Sequence, residues 1–425
     1  MKVPKSVSLE RDLFFILKDL RENGGPLSQY DLPELFDLLS DQLLTINPSY
    51  NIVYIAELFL RIFCGETEAE KERLRERVKY LKTIPQPEQR TPEWFAFRKT
   101  RITASTLAKI VGLSKYGNIK DFIFDKVMRG EDAANKKWIS NENMKHGNRY
   151  EEVANLIYQN RTGTTVIEFG CIPHDTIDFV GASPDGITPD GVMIEIKCPC
   201  SRPITGVQPI NYWCQVQLQL EVAELNECDF VEVQIQQYKT KQEFLEDIPL
   251  DTCEQLEIPC KTSQNLEKGI IIEYQKTGLD TKAEYIYFPM DMTVKDLLEK
   301  VERETIKLEQ DESIIYVRLR HWYSSKYSCV RIYRDKGWFQ KVLPELKACW
   351  DKIVYLRSLP DEEFYKEIVP YRKKKRGPNK KKVIKKPYDC LFEEQSPCKQ
   401  IIKKKSVSDK KSVSDKKCMI LSDSE

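Results

Sequence analysis

The chain has 425 residues, 41% hydrophobic and 31% charged, enough apolar content for a buried core and too much for a wholly disordered or fibrous protein. No stretch approaches the roughly 18–20 uninterrupted apolar residues of a membrane span. The first five residues run into Glu10, Arg11 and Asp12 rather than an apolar signal segment, and 13 cysteines without a paired framework point to a reducing, intracellular setting. The net charge of +1 conceals a split: residues 371–425 hold 18 basic and 7 acidic groups, while the first 370 hold 49 basic and 59 acidic ones, a net of −10.

Residues 1–88 read as a helical N-terminal domain. Leu13, Phe14, Leu17 and Leu20 recur near the helical period, as do Leu35, Leu38, Leu39 and Leu43, with Gly24, Gly25 and Pro26 between the two runs. Residues 68–82 form a charged helix, and 84–87 a proline-containing linker. A mixed core is expected over 89–240, with a helix at 142–160 and strands at 165–172, 178–182, 192–198 and 229–236. Residues 241–370 read as an accessory region, with strands at 313–320 and 329–333 and an amphipathic helix at 338–356. Residues 371–425 are low in complexity, with ten basic residues between Arg372 and Lys386 and the hexapeptide Lys-Lys-Ser-Val-Ser-Asp in tandem from Lys404. Such a tail is expected to be disordered, and its charge suits an anionic partner or an import signal.

The most informative stretch is Ala182-Ser183-Pro184-Asp185-Gly186 followed by Ile194-Glu195-Ile196-Lys197. Strand alternation puts Glu195 and Lys197 on one face and Val192, Ile194 and Ile196 on the other. Pro189-Asp190-Gly191 is a turn signal between them. A hairpin centred there pairs residues whose numbers sum to about 380, so Asp185 faces Glu195 and their carboxylates can share a cation. Asp190, at the tip, is then a turn residue only. Upstream, a helical wheel centred on Tyr150, Val153, Ala154 and Ile157 puts Glu151 at the boundary, able to look into a site, and turns Glu152 toward solvent. Hard oxygen ligands beside a lysine suit Mg²⁺ or Mn²⁺ in phosphodiester hydrolysis. Residues 212–224 are ambiguous: 215–222 alternate as in a strand, yet Trp213, Val216 and Leu220 also fit a helical stripe.

These motifs, in order, are Trp94-Phe-Ala-Phe-Arg98 with Ile102-Thr103-Ala104-Ser105, Gly147-Asn-Arg-Tyr-Glu151, 182–186, 195–199 and Tyr212-Trp213-Cys214-Gln215-Val216-Gln217. The sequence over about 90–236 resembles the PD-(D/E)xK nuclease superfamily, and within it the YqaJ-type viral recombinase family that includes the exonuclease of phage lambda. A weaker likeness to members from large DNA viruses extends over 331–350. The resemblance implies an α/β fold with a central mixed sheet flanked by helices, and a helix at 212–224. It implies Glu151, Asp185 and Glu195 as metal-binding acids, Ile196 as a backbone-carbonyl ligand and Lys197 as the catalytic lysine. It further implies that Arg98, Ser105, Ser183, Gln217 and Gln215 hold a terminal 5′-phosphate or the adjacent backbone. The activity implied is a Mg²⁺-dependent 5′-to-3′ exonuclease on double-stranded DNA in viral recombination or genome processing, in the host nucleus or cytoplasm. A single-strand annealing partner and a homo-oligomeric ring are also implied. An endonuclease or RNA-degrading enzyme on the same core, or a non-catalytic DNA-binding scaffold, are the alternatives.

Overall fold

In this computed structural model the described residues are 67–130, 142–249, 258–278 and 282–371, with 12–13, 16–17, 32–46, 55–56 and 59 in the N-terminal part. The basic tail, including 372–386, lies outside them. The elements run α1 (Leu32–Ile46), α2 (Glu68–Thr83), α3 (Pro92–Lys99), β1 (Ile102–Thr103), α4 (Ala104–Ile110), α5 (Ile119–Val127) and α6 (Glu142–Thr162). Then come β2 (Ile172–Pro173), β3 (Val180–Ala182), β4 (Gly186–Ile187), β5 (Val192–Lys197), α7 (Ile210–Ala223), β6 (Glu227–Gln237) and α8 (Lys241–Glu246). The chain continues with β7 (Lys268–Lys276), β8 (Glu284–Ile286), α9 (Val294–Gln310), β9 (Ile314–Tyr333), α10 (Lys336–Ser358) and α11 (Asp361–Glu367).

A six-stranded mixed sheet, ordered β4-β5-β6-β9-β7-β8, is the centre of the molecule, and a three-stranded sheet β1-β3-β2 lies beside it. Only β5 and β6 run parallel in the large sheet; the other neighbours are antiparallel. The α/β class and helix-flanked mixed sheet expected from the sequence are those of the protein. Helices cover both faces of β5. Ile194 and Ile196 join Tyr150, Val153 and Ile157 of α6 in one apolar cluster, while Met193 joins Trp213, Val216 and Leu220 of α7 in the largest one. A strand covered twice buries polar residues only where a partner waits for them, and this fixes the setting of Glu195.

One ambiguity is resolved and two expectations need correction. The helical reading of 212–224 is right and the alternation misleading, because α7 buries Gln217 and Gln219 by giving their amides partners. The two short strands expected at 313–320 and 329–333 are parts of one 20-residue strand, which passes from pairing with β7 to pairing with β6 at Trp322 and Tyr323 and so stays extended through its polar middle. Residues 165–172 contribute only a bridge at Ile167 and the short β2. Packing also crosses the expected boundary at 88. Leu74, Val78 and Leu81 of α2 are buried in the same cluster as Trp213, whereas Leu13, Ile16, Leu35, Leu39, Leu43, Ile55 and Phe59 form their own. Trp338, Phe339, Val342 and Leu346 of α10 enter the main cluster too, so the accessory region closes the core.

Candidate active site

The hairpin forms in the expected register. Gly186 pairs with Ile194 and Ile187 with Met193, each pair summing to 380. The two Pro-Asp-Gly tripeptides differ as the geometry requires. Gly191 takes φ of +86°, the left-handed conformation of a tight turn, and Asp190 beside it is exposed and paired with Arg75 at 2.8 Å. Gly186 is needed for another reason: a Cβ there would come within 2.1 Å of Val166 Cγ1. Asp185 continues the register toward Glu195, and its Oδ2 accepts the Ile196 amide at 2.7 Å.

Glu195 is completely buried, on the face of β5 that α7 covers. Two glutamines one helical turn apart reach it: Gln215 Nε2 donates to Oε1 at 2.6 Å and Gln219 Nε2 to Oε2 at 2.7 Å. Gln219 also reaches the Ser183 carbonyl at 3.3 Å. Lys197 Nζ donates to Glu195 Oε1 and, at 3.0 Å, to the Ile196 carbonyl. Burial and the neighbouring Glu195 carboxylate push the Asp185 carboxyl well above its usual range. For Lys197, burial pulls down, but Glu195 and Asp185 together outweigh it and hold the ammonium protonated.

The fully buried Glu195 and the partly buried Asp185 bring two carboxyls together beside the Ile196 carbonyl, an all-oxygen donor set of the kind a hard cation prefers. Mg²⁺ is commonly held by one or two carboxylates with water and substrate phosphate completing the shell, so this donor set fits it. Glu151 is not drawn in. Its carboxylate is bound by Arg90 Nη2 at 2.9 and 3.0 Å, although its charge still acts on Asp185. Among the described residues no three acidic, histidine or cysteine side chains stand close enough to hold a metal ion together. Glu152, expected in solvent, is partly buried; burial raises its carboxyl, to which Asn155 donates at 3.2 Å.

A second, cationic cluster adjoins the same hairpin. Arg98 lies over the Trp94 ring at 4.1 Å and donates to Ser105 Oγ at 3.0 Å; Trp94 Nε1 donates to Ser183 Oγ at 3.1 Å. The expected Arg98, Ser105 and Ser183 are therefore assembled, by a tryptophan whose bridging role the sequence does not reveal. Beneath them Lys126 donates to the carbonyls of Arg98 and Arg101, the latter at 2.6 Å. Burial, with the nearby charges of Arg98 and Arg357, pulls the Lys126 amine down to about 7. Gln217 does not belong to this cluster. It is buried on the far side of α7, donating to the Tyr333 carbonyl and accepting the Asp335 amide, both at 2.7 Å. Gln215 faces Glu195 rather than the Arg98 cluster. Gln219, which the sequence reading passed over, is its companion; the glutamine spacing of four was the available signal.

Residues 93–226, which hold Arg98, Ser105, Glu151, Asp185, Glu195 and Lys197, match the sequence model of the YqaJ-like viral recombinase domain. Over this stretch the chain is similar to that family. An uncharacterized protein of Acanthamoeba polyphaga mimivirus is 29% identical over 319 residues, covering 67% of this chain and 56% of its own. The chain thus spans a little over half the length of that relative. Among solved structures, an alkaline exonuclease from Laribacter hongkongensis in complex with dAMP is 22% identical, with a TM-score of 0.37, over 65% of this chain and 100% of its own. A phage-related exonuclease from Haemophilus somnus is 14% identical, with a TM-score of 0.34, over 61% and 96% respectively. The matched stretch begins just after the turn that carries Arg90 and ends just past α7, so β6, β7, β8, β9 and α10 lie outside it.

Proposed function

We propose that the protein is a divalent-metal-dependent nuclease that degrades double-stranded DNA from 5′ ends in viral recombination or genome processing. The observation that carries this reading is the shared hairpin. Ser183 belongs to the cationic cluster, and Asp185, two residues later, belongs to the carboxylate site. A terminal phosphate held by Arg98, Ser105 and Ser183 leaves the next phosphodiester beside the acids.

Asp185, Glu195 and the Ile196 carbonyl would hold Mg²⁺, with Mn²⁺ as a substitute. An ion held by these residues would supply a coordinated water of lowered pKa and positive charge beside the phosphate. Gln215 and Gln219 fix the Glu195 carboxylate so that its orientation is set before substrate arrives. Lys197 stays an ammonium at neutral pH, so it serves as a donor that orients the attacking water or a phosphate oxygen, not as a base. Resection from 5′ ends leaves 3′ single strands, for which a single-strand annealing protein is the fitting partner, and a ring of copies would keep the duplex threaded. The basic run at 372–386 would serve as a DNA arm or a nuclear import signal.

Linear duplexes bearing 5′-phosphate or 5′-hydroxyl, and closed circles, incubated with Mg²⁺ test the reading. Mononucleotides should come from linear ends, faster with the phosphate, and circles should survive. Cleaved circles would make the enzyme an endonuclease; inert DNA of every form would leave only a scaffold.

A further inference from the structure

The turn that precedes α3 is built into the site although no motif covers it. Gln86 Oε1 accepts the Gly170 amide at 2.8 Å. Gln89 Nε2 donates to the carbonyls of Phe169 at 2.9 Å and Pro184 at 3.1 Å. Pro184 adjoins Asp185, so this turn is fastened to the backbone of the metal-binding hairpin. The next residue, Arg90, has φ of +69°, a conformation that residues with a Cβ avoid. A glycine would suit the turn better, and an arginine kept in such a place is aimed. It is aimed at Glu151. One Arg90 nitrogen holds both carboxylate oxygens, while the side chain remains 49% exposed.

Two facts about this pair conflict unless it opens. Glu151 stands on the helix that packs against β5, the strand of Glu195, yet both its oxygens are taken by a guanidinium. Arg90, in turn, is a half-exposed planar donor fork on a turn fastened to the residue before Asp185, with one of its nitrogens committed to a side chain. We propose that Arg90 is a substrate-phosphate ligand, parked on Glu151 in the free protein and released to the DNA backbone when Glu151 turns to the divalent cation. The pair keeps three acids from repelling one another while the cation is absent. When it opens, it delivers a positive charge to the phosphate next to the acids. This rests on the nuclease reading above.

The test uses the full chain and two variants, Arg90→Gly and Arg90→Lys. Glycine relieves the backbone, so a residue that merely makes the turn would be replaced without loss. Melting temperature is followed against Mg²⁺ concentration, and binding of a 5′-phosphorylated duplex by fluorescence anisotropy in EDTA and in Ca²⁺. Arg90→Gly should melt at or above the wild-type temperature. Its Mg²⁺ midpoint should fall about threefold or more, because Glu151 has lost its competitor. Its DNA affinity should fall about tenfold in Ca²⁺, the loss of one charge-assisted phosphate contact, and hardly at all in EDTA. Arg90→Lys should recover part of the affinity in Ca²⁺. An Arg90→Gly protein that matches wild type in both Mg²⁺ midpoint and Ca²⁺-dependent affinity overturns the proposal. Equal losses in EDTA and Ca²⁺ overturn it as well, since the arginine would then hold DNA without leaving Glu151. If the wild type itself shows no cation-dependent DNA binding, the nuclease reading fails, an outcome distinct from either of these.

Discussion

Gln217 and Gln219 lie two residues apart on α7 and should fail in opposite ways. Gln219→Leu removes the donor to Glu195 Oε2, a buried carboxylate oxygen. A hydrogen bond to a charged group contributes about 1.5–3 kcal/mol. At about 1.36 kcal/mol per tenfold, the loss corresponds to roughly 10- to 150-fold in metal affinity or turnover. The fold suffers less, because the substitution also removes Gln219 Oε1, a buried oxygen without a partner. Gln217→Leu removes its bonds to the Tyr333 carbonyl and the Asp335 amide and puts an apolar group against both at the junction of β9 and α10. At about 1–3 kcal/mol each, that is a loss of several kcal/mol of stability with little change in turnover per folded molecule. Mg²⁺-dependent cleavage of a linear duplex, with urea unfolding of each variant in parallel, separates the two. Equal loss of turnover from both variants at full folding would refute the argument that the glutamine pair 215/219 governs the carboxylate.

Asp185→Ala should abolish cleavage, as should EDTA, while Asp190→Ala should barely change stability, because its pair with Arg75 is exposed, and should leave activity unchanged; nuclease and melting assays decide both. Lys197→Ala should reduce turnover by about 100-fold or more with little loss of DNA affinity, and a matching loss in both would make it a phosphate anchor. Lys126 gives a pH signature. Its folded-state pKa, about 7, lies below the unfolded value, so its burial penalty is full below pH 7 and relieved as pH rises toward 10. Urea unfolding at pH 7 and pH 9 should therefore show a gain in stability, on the order of a kcal/mol or more, that Lys126→Met lacks.

What the sequence reveals and what it hides follow from the range of the interactions involved. The 182–197 hairpin is legible because its register depends on residues within a dozen positions of one another and on a turn with its own signature. Glycine at 191 declares a left-handed turn; glycine at 186 looks alike but answers to Val166, which no local pattern shows. In α7 the glutamines at 215, 217 and 219 counterfeit a strand, and only the partners behind the helix, Glu195 on one side and Tyr333 on the other, sort them. The edge position of Glu151 can be read from a wheel, but its capture by Arg90, 61 residues earlier, cannot. The unity of β9 is hidden for the same reason. Its middle is polar enough to read as a break until β6 and β7 are known to border it.

That single strand also dictates the order in which the molecule can be completed. At about 3.3 Å per residue, β9 is a strut about 65 Å long. Its first half pairs with β7 and its second half with β6, so the edge of β6 stays open until residues 322–333 have been made. Elongation at roughly 5–20 residues per second separates Gln237 from Tyr333 by about 5–20 s. Throughout that interval the strand next to β5, which bears Glu195 and Lys197, presents unpaired amides and carbonyls to whatever is near. A nascent chain therefore holds its acids before it holds the sheet that aligns them, and a chain that stops short of residue 333 carries a sticky edge in place of an enzyme.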